Sequence, residues 1–224
     1  MRLLLIRHGE SVGNSENRLQ GQEDYDLTER GRRQALVTGE RIAAEGITCV
    51  YTSPLLRALA TARTLAARLG CVPVALPGLS EYHVGEVSGL TYAEVRQRFA
   101  ADPAMAALPA AERAYPGEEG RENFFRRVSE AIWGIVERHA AEEVAVVSHG
   151  GPIALFCQNV LGLPYRRPMP FSIDNCSLTV IEIDAAAAAR GRRLPAVLVR
   201  LNDTCHLRDQ PLSPPHVSSR RRQG

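Results

Sequence analysis

Leu3, Leu4, Leu5 and Ile6 form an unbroken apolar run near the start of the chain, the pattern of a strand covered on both faces. A buried parallel strand is therefore predicted over residues 2–6, followed by a polar loop through Asn14, Asn17, Gln20, Gly21 and Asp24. From Leu27-Thr28-Glu29-Arg30-Gly31 the period changes: Ala35, Leu36, Gly39, Ile42 and Ala43 share one helical face, with Gly46 as the stop. Residues 48–52 read as a short strand. Ser53 and Pro54 then read as an N-cap and a first helical position, opening a helix to Leu69 that ends at Gly70. A strand over residues 72–76 and a polar, glycine-bearing loop over 79–89 follow.

Helical spacing returns over residues 91–99 and 122–139, the latter placing Phe124, Phe125, Val128, Ile132, Ile135 and Val136 together. The intervening stretch 100–121, rich in alanine, proline and glycine, is expected to be a lid or insertion. Val144 to Val147 repeats the buried-strand pattern, and a helix over 152–161 is stopped by Gly162 and Pro164. Alternating runs at 177–183 and 196–201 are expected to pair antiparallel across a 185–193 loop. Strands alternating with helices predict an α/β fold, a three-layer α/β/α sandwich around a mostly parallel central sheet with an antiparallel contribution near the C-terminus. Residues 1–210 are expected to form one catalytic domain and 211–224, with three prolines and Arg220-Arg221-Arg222, a disordered tail.

Composition narrows the chemistry. The 27 basic residues are all arginine, which removes Walker-type, Schiff-base and lysine general-base chemistry, and a formal charge of +2 points to no nucleic-acid partner. Five cysteines, odd in number and without a C-x-x-C, fit neither a disulfide framework nor a zinc site and are expected as reduced thiols in a cytoplasmic protein. No apolar run reaches membrane-spanning length, so no membrane partner is expected. A cleaved leader is not expected either, since it would remove the first strand and His8.

Both buried-strand runs end in a histidine followed by glycine: Ile6-Arg7-His8-Gly9 and Val147-Ser148-His149-Gly150-Gly151. Open α/β sheets bind ligands at the carboxyl ends of their strands. Two guanidiniums, Arg7 and Arg57, with two imidazoles, His8 and His149, suit one tetrahedral dianion, because the arginine fork grips phosphate oxygens in pairs. Arg57 falls in the first turns of a predicted helix, where backbone amides already favour an anion. A neutral imidazole can attack phosphorus, and flanking arginines disfavour its protonation. His8 is the candidate nucleophile. Glu81, in the loop Leu79-Ser80-Glu81-Tyr82-His83-Val84-Gly85, is the candidate proton donor, since a carboxyl beside bound phosphate favours its protonated form.

These motifs resemble the histidine phosphatase superfamily, in the larger branch that includes cofactor-dependent phosphoglycerate mutase. The resemblance spans Arg2 to about Leu207. It rests on Arg7-His8-Gly9-Glu10-Ser11 with Asn14, Leu27-Thr28-Glu29-Arg30-Gly31 with Gln34-Ala35, Ser53-Pro54 with Arg57-Ala58 and Thr61-Ala62, Glu81 with Gly85 and Gly89-Leu90-Thr91, and Ser148-His149-Gly150-Gly151. It implies that His8 carries the phosphoryl group covalently, that Arg7, Arg57 and His149 bind it, and that Glu81 is proton donor and then base, with no metal and no cofactor. Asn14 matches a phosphate-contacting asparagine, Gln20 and Gly21 match the substrate mouth, and Gly150 belongs to the phosphate turn. Gly117-Glu118-Glu119-Gly120 departs from the glycine-glutamate-serine of many relatives.

The reading is a metal-independent phosphomonoester hydrolase acting on a small phosphorylated metabolite. A phosphoglycerate mutase is the alternative, disfavoured because the longer basic segment that follows the glutamate in mutases is missing. A non-catalytic member binding phosphorylated ligands or proteins is a third reading, and a binuclear metal site of His8, His149 and Glu81 a fourth, one the arginines would repel. Specificity is assigned to residues 11–24, 82–92 and 100–123 around the mouth. Sugar phosphates, phosphoglycerates, a cobalamin-pathway nucleotide phosphate and a protein phosphosite stay open, and a homo-oligomer is compatible with the chain. His83, His139, His206 and His216 are expected to be structural or solvent-exposed, and residues 202–206 to form a capped turn.

Overall fold

The computed structural model describes residues 1–100, 114–164, 170–184 and 196–208. Most of the expected lid, the 185–193 loop, the tail and His216 lie outside the described residues. Six strands form one sheet in the order β3-β2-β4-β1-β5-β6: β1 (Arg2–Arg7), β2 (Cys49–Thr52), β3 (Val74–Ala75), β4 (Glu143–Ser148), β5 (Leu178–Ile183) and β6 (Ala196–Asp203). The first four run parallel, and β5 is antiparallel to both β1 and β6, as the sequence predicted.

Strand periodicity divides the core between two faces. Leu3 and Leu5 of β1, with Val144 and Val146 of β4, pack against α5 (Arg121–Arg138) and α6 (Gly150–Val160). Leu4, Ile6, Ala145 and Val147 face α2 (Glu29–Ile42) and α3 (Leu56–Leu69). Strands β1 and β4 are therefore buried on both sides and the architecture is the expected α/β/α sandwich.

Several boundaries differ from the sequence reading. A one-turn helix, α1 (Val12–Ser15), interrupts the expected loop because Ser11 and Asn14 cap each other reciprocally. Helix α2 stops at Ile42, a turn before Gly46. The 72–76 strand shrinks to two residues, with Val72 84% exposed and Pro73 unable to donate to a ladder. Helix α6 starts at Gly150, two residues before the expected Pro152. Helix α4 (Tyr92–Phe99) has the predicted place, with Thr91 and Glu94 forming a capping box. Among the described residues, no helix is long and apolar enough to cross a membrane.

Candidate active site

Strands β1 and β4 are adjacent and parallel with Arg7 opposite Ser148, so the next residue of each, His8 and His149, leaves the sheet at the same level. The His8 N–H donates to the Ser148 carbonyl at 3.0 Å, and the two ring centroids lie 5.1 Å apart. Both imidazoles are buried, as are Arg7 and Arg57. Burial, followed by the charges of Arg57 and Arg7, holds His8 well below its ordinary value of 6.5. Burial and Arg57 do the same to His149. Burial also lowers Arg57 to about 10, opposed by the Glu81 carboxylate.

The His8 tautomer is fixed by its own loop. Nδ1 lies 2.7 Å from the Gly9 carbonyl oxygen, which can only accept, so Nδ1 carries the proton and Nε2 the lone pair. His149 Nε2 lies 2.8 Å from Ser53 Oγ. That hydroxyl also accepts the Leu55 N–H, and the helix begins one residue later without a side-chain cap. Ser53 therefore does not cap α3 as the sequence suggested, and Pro54 is not its first residue: the serine is engaged by His149 instead. Arg7 Nε, Arg57 Nε and His149 Nδ1 are buried with no hydrogen-bond partner among the described residues.

Glu81 reaches the same place from the loop after β3. Its Oε1 accepts the Tyr82 N–H at 2.8 Å and its Oε2 the Gly151 N–H at 3.1 Å. Helix α6 can present that amide only because residue 151 is glycine: a Cβ there would stand 2.1 Å from Glu81 Oε1. Gly150 faces Arg7, with 3.9 Å between an added Cβ and Arg7 Nε. Arg57 Nη1 and Nη2 donate to the Glu23 and Gly21 carbonyls at 2.7 and 2.8 Å, tying α3 to the mouth segment. Gln20 accepts from Ser11 Oγ at 2.7 Å, and Asn14 accepts from the Ser11 N–H. The structure thus brings Arg7, His8, Arg57, Glu81 and His149 together, with Asn14, Gln20 and Gly21 bracing the loops around them.

The Leu27-Thr28-Glu29-Arg30-Gly31 motif is scaffold. Thr28 caps α2 and, with Arg30, holds the Glu10 carboxylate at 2.8 and 3.0 Å. Gly31 lies so close that an added Cβ would fall 2.0 Å from the Glu10 carbonyl.

Two groups of residues were missed by the sequence reading. Arg7 Nη1 donates to the Ile173 carbonyl at 2.5 Å, Asn175 Nδ2 donates to the His8 carbonyl at 2.9 Å and to Asn14 Oδ1 at 3.2 Å, and the Cys176 N–H donates to the Arg7 carbonyl. Because β5 is antiparallel to β1, the residues leading into it sit at the carboxyl end of β1. The Asp174-Asn175 pair before an apolar run was the available signal. The second group is Arg127 of α5, whose guanidinium donates to the Gly78, Ser80 and Glu81 carbonyls and bidentately to Glu119, both Glu119 bonds at 2.7 Å. Glu119 in turn accepts the His83 N–H at 2.9 Å. The unusual 117–120 segment therefore keeps its glutamate in the work of holding the Glu81 loop.

His83, His139 and His206 stand apart from the site, bonded to Gly85, Tyr51 and Thr38 respectively. No group of three metal-ligand side chains among the described residues includes His8, Glu81 or His149.

The profile of the histidine phosphatase superfamily (branch 1) matches residues 3–190. Phosphoserine phosphatase 1 of Hydrogenobacter thermophilus is 31% identical over 208 residues, covering 92% of this chain and 94% of that protein. A probable phosphoglycerate mutase GpmB of Yersinia pestis is 32% identical over 214 residues, covering 92% and 95%. Among solved structures, a mycobacterial glucosyl-3-phosphoglycerate phosphatase with inorganic phosphate superposes with a TM-score of 0.73 at 30% identity, covering 92% of this chain and 98% of that one.

Proposed function

The chain belongs to the histidine phosphatase superfamily, branch 1, and from that premise we propose that it is a metal-independent phosphomonoester hydrolase working through a phosphohistidine on His8. The observation that carries the reading is the His8 ring. Its Nδ1 proton is committed to the Gly9 carbonyl and burial between two arginines keeps it neutral, leaving Nε2 as a free nucleophile.

Arg7, Arg57 and His149 receive the phosphoryl oxygens. Ser53 accepts the Leu55 N–H and gives its own proton to His149 Nε2, so His149 offers Nδ1–H to the phosphate as a neutral donor. In the first step the His8 Nε2 lone pair forms the N–P bond, the P–O bond to the alcohol breaks, and Glu81 delivers a proton to the departing oxygen. In the second, water attacks phosphorus and passes its proton to Glu81, the N–P bond breaks, and phosphate leaves with His8 restored. Arginine charge facing the transferring group stabilises both transition states.

Phosphatases among the relatives, named for phosphoserine and glucosyl-3-phosphoglycerate, support a small phosphorylated metabolite as substrate. Phosphatase is preferred over mutase because the sequence after Glu81 lacks the longer basic segment. Metal independence is supported by the guanidiniums around His8, which would repel a cation, and a cytoplasmic location by five unpaired thiols. Turnover of p-nitrophenyl phosphate in excess EDTA tests the reading: wild type should release nitrophenol and His8→Ala should not. Equal release by both, or none by wild type, overturns it.

A further inference from the structure

At the amino ends of the strands, opposite the catalytic loops, three side chains far apart in sequence converge. Cys49 opens β2, His139 follows the last turn of α5, and Glu142 immediately precedes β4. The Cys49 Sγ, a ring nitrogen of His139 and a carboxylate oxygen of Glu142 all lie within 4.8 Å of one another.

The ligand types are those of a borderline-soft divalent cation, one thiolate, one imidazole and one carboxylate. Bonds of about 2.0–2.3 Å around a tetrahedral ion set neighbouring ligand atoms about 3.3–3.5 Å apart. His139 Nδ1–H donates to Glu142 Oε1 at 3.1 Å, which already holds these two atoms close to that spacing. The half-buried Cys49 Sγ stands within 4.8 Å of both as the third ligand atom.

The outer partners are in place as well. Tyr51 Oη lies 2.8 Å from His139 Nε2 and itself receives Arg138 Nη1 at 3.4 Å; while Nδ1–H is on Glu142 the hydroxyl donates to Nε2, and its oxygen can accept Nε2–H instead once an ion takes Nδ1. Thr48 Oγ1 donates to Glu142 Oε2 at 2.6 Å, fixing the carboxylate with Oε1 turned toward His139. Glu142 is exposed, which leaves the fourth position open to water and gives the ion a path in.

We propose that Cys49, His139 and Glu142 bind a zinc-class divalent cation, clasping the start of β2 to the turn between α5 and β4, away from the phosphoryl chemistry. On binding, the sulfur–metal bond replaces the Cys49 S–H bond and one proton is released. The imidazole proton moves from Nδ1, where it faces Glu142 in the free protein, to Nε2, where Tyr51 Oη accepts it, and thiolate and carboxylate together neutralise the ion.

Titration of the chelator-treated full chain with Co(II) tests this. The expected result is a thiolate-to-cobalt charge-transfer band saturating at one equivalent, displaced by Zn(II), with Zn(II) also raising the thermal midpoint. Cys49→Ser should abolish the band while keeping wild-type circular dichroism and p-nitrophenyl phosphate turnover, and Glu142→Gln should weaken Co(II) binding by about tenfold or more. Cys71→Ser and Cys205→Ser should retain the band. A wild type with no charge-transfer band, or a band that survives in Cys49→Ser, overturns the assignment.

Discussion

Gly151 and Glu81 meet with no space for a side chain between them: the amide of one donates to the carboxylate of the other at 3.1 Å, and a Cβ would intrude to 2.1 Å. Gly151→Ala must therefore displace Glu81, and a displacement of about 1 Å costs about 100-fold in rate. Position 151 is in the first turn of α6, where alanine is otherwise favoured over glycine by up to about 1 kcal/mol. Steady-state kinetics beside thermal melting should show kcat/KM falling about 100-fold with the melting midpoint nearly unchanged.

Arg127 positions the same carboxylate from behind, through the backbone of residues 78–81 and the paired Glu119. Arg127→Met should lower kcat about 10- to 100-fold with KM changed little, because the proposed phosphate ligands stay in place while Glu81, the proposed proton donor, loosens. It should also cost about 2–3 kcal/mol in denaturant unfolding, since charge-assisted bonds are lost and Glu119 is left partly buried. Adding Glu119→Gln should recover part of that stability but none of the kcat.

The depressed histidines set a sign for pH dependence. Below about pH 6.5 the unfolded chain takes up protons at His8 and His149 while the folded protein does not, so stability present above that pH is lost as the pH falls. The slope approaches about 1.4 kcal/mol per pH unit for each histidine. Activity behaves in the opposite way: His8 stays neutral, and its protonation should not reduce kcat/KM between about pH 7 and about pH 6. Arg57→Gln removes the largest charge opposing His8 protonation and should move the acid limb of kcat/KM upward. Unfolding titrations and pH–rate profiles measure both.

Ser53 acts on the second histidine. Without its hydroxyl, His149 Nε2 is left buried and unpaired and the ring loses the partner on which the proposed Nδ1–H tautomer rests. Ser53→Ala should cost about 1–3 kcal/mol in stability. Phosphate should inhibit the variant more weakly than wild type, because His149 no longer presents Nδ1–H reliably.

Much of this was legible in the chain. The buried runs at Leu3 to Ile6 and Val144 to Val147 announced two covered strands, and the histidine ending each marked the candidate site, because parallel neighbours in register deliver their next residues to one place. What the sequence hid was whatever depends on packing between distant segments. Arg127 looked like one more charge on an amphipathic helix, and nothing local ties it to Glu81. Asn175 is near His8 only because β5 runs antiparallel to β1. Ser53 read as a cap because serine before proline usually does that, and the competing demand of a buried imidazole is a tertiary fact. The Gly31 contact with Glu10 was likewise visible as a motif but not as a reason.

The proposed chemistry turns on a covalent bond to one nitrogen, His8 Nε2. Acid-free quenching during turnover of p-nitrophenyl phosphate in EDTA, followed by peptide mass spectrometry, should find one phosphoryl group on His8, acid-labile and base-stable, increased in Glu81→Ala when a good leaving group bypasses the proton donor, and missing from His8→Ala. A protein that turns over substrate with no phosphoryl group trapped on His8, or with the label on another residue, contradicts the account.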